Sequence, residues 1–169
     1  MGKTIIWTSI TVLFFALIEA AILSNLEFLP VVPDLVLLVV LYVSFMNSST
    51  TGSTVGFISG IFLDFLSASP IGLNAFTKTV TGFIFGKLSG SFNLHGVVIP
   101  AFMGGVATII KALLTWALSF IFKSGIIPYS VTGQTFWFEL IANTICAPII
   151  FVILGIFKNF FVADRRGIE

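Results

Sequence analysis

Residues 52–64 read Gly-Ser-Thr-Val-Gly-Phe-Ile-Ser-Gly-Ile-Phe-Leu-Asp, so that Gly52, Gly56, Gly60 and Asp64 recur at every fourth position. Four-residue spacing returns to one face of an α-helix, which leaves this segment with a bare stripe ending in a carboxylate. Small residues at that spacing let helix backbones approach closely, the means by which helices associate where lipid removes the hydrophobic drive between them. The next apolar segment repeats the pattern with Lys78, Gly82, Gly86 and Gly90, and the first offers Ala16, Ala20 and Ser24. The spacing predicts tightly packed neighbouring helices. Ala16, Ala20, Gly52, Gly56, Gly60, Gly82 and Gly86 are then packing positions or faces for a partner.

The composition around this stretch points to the same surroundings. Of 169 residues, 57% are hydrophobic and 9% charged, against roughly 25% charged in ordinary soluble domains. A chain this small exposes much of its surface, and so few charges cannot make that surface compatible with water. A soluble enzyme, a disordered chain and a nucleic-acid binder are all excluded, the last because the net charge is only +1. One cysteine, Cys146, and one histidine, His95, supply neither a disulfide framework nor a metal cluster, and no cofactor is expected. Cys146 reads as packing and His95 as a residue of a solvated turn.

The fold class is therefore an all-α integral membrane protein of a single polytopic domain. Apolar runs place six transmembrane helices at about 4–23, 29–46, 52–66, 73–88, 97–122 and 136–161. The second and third are short; they are tilted spans or, alternatively, a re-entrant pair. The first run follows Lys3, but it carries Glu19 and lacks a small-x-small cleavage site, so it reads as a span rather than a leader. With both termini cytoplasmic, Lys3, Lys87, Lys158, Arg165 and Arg166 fall inside and Lys123 outside, as the positive-inside rule demands. On this reading Glu27 and Asp34 lie in the first external loop, and Trp7, Tyr129 and Trp137 sit near the membrane interfaces. Pro100 and Pro148 are expected to kink the fifth and sixth spans.

Charges inside spans carry the most information. A lone one at mid-bilayer costs at least about 2.5–3.5 kcal/mol, so it must face a partner or a watery cavity. Glu19, Asp64, Lys78, Lys111 and Glu139 converge toward the outer leaflet as a buried polar cluster. The short turn 67–72 brings Asp64 and Lys78 together as an expected ion pair that fixes helix register or meets a ligand or partner. Asn74 is placed to cap the fourth span, and Asp34 puts a negative charge at the start of the second. No Walker loop, metal-ligand pair or nucleophile–base motif accompanies them, so no enzyme is expected.

Three motifs occur in a familiar order: Pro33-Asp34-Leu35-Val36-Leu37 opening a span, the Gly56–Asp64 stretch, and the turn Ser69-Pro70-Ile71-Gly72-Leu73-Asn74-Ala75. Together, from about Leu29 to Gly90, they resemble the rod shape-determining protein MreD family of bacterial inner-membrane proteins. Pro33, Asp34, Asp64, Pro70, Gly72 and Asn74 carry the resemblance. It implies a non-enzymatic scaffold of the cell-elongation machinery that binds the bitopic protein MreC. It also implies work alongside the MreB filament, the RodA glycosyltransferase and a class B penicillin-binding protein in lateral peptidoglycan synthesis. The fold it implies is similar to the substrate-binding (S) components of energy-coupling-factor transporters. The competing reading is itself such a component, capturing a small molecule such as a vitamin near Glu19, Asp64, Lys78 and Glu139.

Overall fold

Every residue from Leu35 to Phe45 is buried, and that single fact organises the molecule. The computed structural model describes residues 2–21, 31–67, 69–91, 96–121 and 133–162. Among the described residues all the regular elements are helices: α1 (Gly2–Ala21), α2 (Leu35–Met46), α3 (Ser49–Leu66), α4 (Leu73–Lys87), α5 (Val98–Ile121), α6 (Gln134–Ile156) and α7 (Lys158–Phe161). The side chain of Ala20 and residues Ser24, Glu27, His95, Lys123, Tyr129, Arg165 and Arg166 lie outside the described set.

A helix that is apolar on all sides belongs in the interior, and α2 is surrounded by α1, α3, α4, α5 and α6. Its 12 residues rise only about 18 Å. The expected span began at 29, but residues 31–34 are not helical, because the Asp34 carboxylate caps α2 by accepting the Leu37 N–H at 2.8 Å. At the far end Asn47 donates its side-chain amide to the carbonyls of Val43 (2.7 Å) and Phe161 (2.8 Å), and Ser48 caps α3. The Tyr42 ring meets Phe151 and Phe161 edge-on, which locks the last turns of the bundle against α2.

Helices α3 and α4 form an antiparallel pair held backbone to backbone. A methyl group on Gly52 would collide with the Gly82 backbone, on Gly56 with Lys78 and Thr79, on Gly60 with Ala75, and on Gly86 with Ser49. The glycine stripes are thus used within the chain. Ala16 is also fully buried and is not available to a partner; α1 turns Ile6, Ile10, Leu13 and Leu17 outward instead.

The sixth expected span is broken. Helix α6 stops at Ile156, Phe157 adopts φ −102° and ψ 21°, and the short α7 turns Phe160 back onto Trp7 with ring centroids 4.6 Å apart. Pro148 lies inside α6, whereas Pro100 lies in the first turn of α5. A proline there removes no helical hydrogen bond, so Pro100 starts the helix rather than kinking it. Among the described residues three helices are long and apolar enough to cross a membrane, within Gly2–Glu19, Val98–Phe120 and Gln134–Ile156.

The two ends of the bundle differ in charge. The start of α1, the ends of α2 and α4 and the turn into α7 meet at one end, tied by Asn47 to Phe161 and by the Ser89 hydroxyl to the Asn47 carbonyl at 2.8 Å. The exposed residues Lys3, Lys87 and Lys158 all belong to it. Asp34, Asp64 and Gly72 mark the other.

Two helical glycines make the packing testable. Gly56→Val should abolish monodisperse protein in detergent by size-exclusion chromatography. Gly155→Ala, with open space where the methyl would go, should keep or raise the melting temperature, since alanine favours a helix by about 0.5–1 kcal/mol.

Candidate functional site

Asp34 is the shared partner of two buried amines. Lys78 Nζ, on α4, lies 3.0 Å from Asp34 Oδ1 and 2.8 Å from Oδ2. Lys111 Nζ, on α5, lies 2.7 Å from Asp34 Oδ2 and 2.7 Å from Glu139 Oε1 on α6. With the Leu37 N–H on Oδ1, the carboxylate of Asp34 accepts at both oxygens to about the four bonds it can hold. The backbone N–H of Asp34 donates to Asn143 Oδ1 at 2.9 Å, and Asn143 Nδ2 donates to Thr108 Oγ1 at 2.9 Å. One aspartate at a helix start therefore ties α2 to α4, α5 and α6.

Glu19 approaches from α1. Its carboxylate lies within electrostatic range of Asp34, Lys78 and Lys111 and faces the Val36 backbone N–H, while its Oε2 has no hydrogen-bond partner among the described residues. Of the five expected cluster residues, the structure brings together Glu19, Lys78, Lys111 and Glu139.

Asp64 is elsewhere, and the expected Asp64–Lys78 pair does not form. Asp64 ends α3 and accepts backbone N–H groups across the turn, from Gly72 (2.8 Å), Asn74 (2.9 Å) and Ala75 (3.2 Å). These are donors that the start of α4 leaves without helical partners, so a carboxylate from the preceding helix caps the next one. Asn74 accordingly does not cap α4. Gly72 holds the cap position with φ 97°, a left-handed conformation that glycine adopts without strain. Lys78 is one turn further along α4, beyond the reach of a carboxylate already used at Gly72.

Sequence reasoning placed Asp34 in an external loop and left it out of the cluster; it also missed Asn143 and Thr108. A helical polar stripe held a signal for the latter two: Gly104, Thr108, Lys111 and Thr115 on α5, facing Glu139 and Asn143 on α6. For Asp34 the signal was a lone acid before an apolar run too uniform to face lipid on one side only.

Chemically the Asp34 carboxylate is saturated, while Glu19 Oε2 is left without a hydrogen-bond partner among the described residues. Each buried cation touches a carboxylate, and the acids number three against two amines when Glu19 is included. Among the described residues no group of three or more His, Cys, Asp or Glu is placed to hold a metal ion. The geometry is that of a clasp between helices.

The clasp and the cap predict different costs. Asp34→Ala strands the Lys78 amine in the interior and leaves Lys111 with Glu139 alone, and should destabilise by about 3–5 kcal/mol. Lys78→Met should cost less, because Asp34 keeps Lys111 and the Leu37 N–H, and Asp34→Leu with Lys78→Met should recover part of the single loss. Asp64→Ala should cost about 1–3 kcal/mol, since it removes an acceptor from backbone donors at a turn water can reach. Thermal unfolding in detergent ranks the four; equal losses for Asp34→Ala and Asp64→Ala would contradict the two roles.

The family model of the rod shape-determining protein MreD matches residues 1–157, nearly the whole chain, and the chain belongs to that family. No curated protein and no solved structure gives a significant match.

Proposed function

We propose that this member of the MreD family, which membership assigns to rod shape determination, acts as a non-enzymatic membrane scaffold. On this reading it binds MreC and so connects with MreB, RodA and a class B penicillin-binding protein in lateral peptidoglycan synthesis. The observation that supports it best is the saturation of the Asp34 carboxylate by Lys78, Lys111 and the Leu37 N–H. A reacting or ligand-capturing group keeps a bonding position open for its substrate; here Asp34, Lys78, Lys111 and Glu139 satisfy one another and stiffen the bundle, and only Glu19 Oε2 lacks a partner among the described residues. A small-molecule S component is the less supported reading for the same reason.

In this reading the three shorter helices complete a six-span bundle like that of the S components. The short α2 is consistent with it, because a helix enclosed by its neighbours need not match the hydrocarbon thickness; only lipid-facing backbone is bound by it. The end carrying Lys3, Lys87 and Lys158 is assigned to the cytoplasmic face of the inner membrane by the bias of lysine and arginine toward that side. The partner helix lies against an outward apolar face rather than against the glycine stripes or Ala16, which are occupied internally.

Two measurements test this. Tagged protein extracted in mild detergent should retain MreC; a monodisperse preparation that loses it would overturn the scaffold reading. In a Cys146→Ala background, an impermeant maleimide should label Ile71→Cys in intact cells and Ser89→Cys only after the membrane is opened. Labelling at both positions in intact cells would reject the six-span topology.

A further inference from the structure

At the cationic end, α1 and the α6–α7 break enclose a groove of about 470 Å³. Trp7, Ile10 and Phe14 form one wall, and Ile153, Phe157 and Phe160 the other. Thr11 also lines it, but its hydroxyl already donates to the Trp7 carbonyl at 3.0 Å. Nothing inside the groove asks for a polar partner, so its occupant there is hydrocarbon.

The mouth is different. Lys3 Nζ stands 5.8 Å from the centroid of the Phe160 ring, and Lys158 is the first residue of α7. Neither meets a carboxylate among the described residues; the ion pairs there belong to Lys78 and Lys111. Long amine side chains at a membrane-facing helix end extend toward the headgroup layer while their stems stay on apolar surface. An apolar slot beneath two amines that meet no carboxylate among the described residues fits a molecule with a hydrocarbon tail and an anionic head. The floor is rigid, because Phe161 is held by the Asn47 bond to its carbonyl and by the Tyr42 ring.

We propose that this groove is a binding site for an anionic phospholipid, with acyl chain between α1 and α6 and phosphate between Lys3 and Lys158. Basic pockets between membrane helices favour anionic headgroups in this way. The site belongs to the opposite end of the bundle from the Asp34 clasp and is independent of MreC. It gives the protein a preference for lipid composition that the clasp does not require.

The test is native mass spectrometry of protein taken from vesicles containing equal amounts of phosphatidylglycerol and phosphatidylcholine with matched chains. A phosphatidylglycerol adduct should dominate. Lys3→Gln and Lys158→Gln should each reduce that preference about fivefold. Ile153→Trp, which fills the slot, should remove the adduct without lowering the melting temperature. Equal retention of the two lipids, or a preference unchanged in the double lysine variant, would overturn the proposal. So would a photo-crosslinker at position 153 that captures a protein helix and no lipid. Should Ile153→Trp fail to fold, the surface lysine variants still decide.

Discussion

A carboxylate buried in a membrane protein is tolerable only when its charge and its bonding positions are filled, and Asp34 fills them from two other helices and its own, while its backbone N–H reaches a third. Its oxygens take the Lys78 amine, the Lys111 amine and the first free N–H of its own helix. Removing Asp34 leaves the Lys78 charge unpaired in a medium that penalises it by several kcal/mol. The relative positions of α2, α4, α5 and α6 are therefore coupled. They form together or the ions stay unpaired. Apolar side chains between lipid-embedded helices impose no such condition, because they are as well solvated by acyl chains as by each other.

The clasp depends in turn on close backbone packing. Lys78 reaches Asp34 because α4 lies against α3 with no side chains between them, Gly56 being set directly on the Lys78 backbone. The glycines do two things at once: they bring the helices together and they set where the buried amine stands. Asp64 completes the pair by holding the first N–H groups of α4. The geometry of the turn follows from that capping, with Gly72 supplying the left-handed residue the path needs.

The two ends of the bundle have separate chemistries. One holds the ion pairs of Asp34 with Lys78 and Lys111; the other carries exposed lysines beside an aromatic groove. In the proposed scaffold role the first end would fix the faces offered to a partner helix, and the second would meet the proposed lipid.

The sequence by itself determined the medium, the helical class, the family motifs and the need to shelter the charges inside spans, although the cluster it named, Glu19, Asp64, Lys78, Lys111 and Glu139, wrongly included Asp64. Each follows from composition or from spacing along one helix, and such local quantities are written in the chain. It could not say which acid each amine would meet. Asp64 is nearer to Lys78 in sequence, yet a carboxylate at the end of α3 is drawn to the unfilled N–H groups of the next helix before it can reach a side chain one turn further on. Asp34, 44 positions away, wins the lysine because α2 is enclosed and sets its capped end between α4, α5 and α6. That enclosure is a property of how helices cross, and no periodicity within a single segment encodes it.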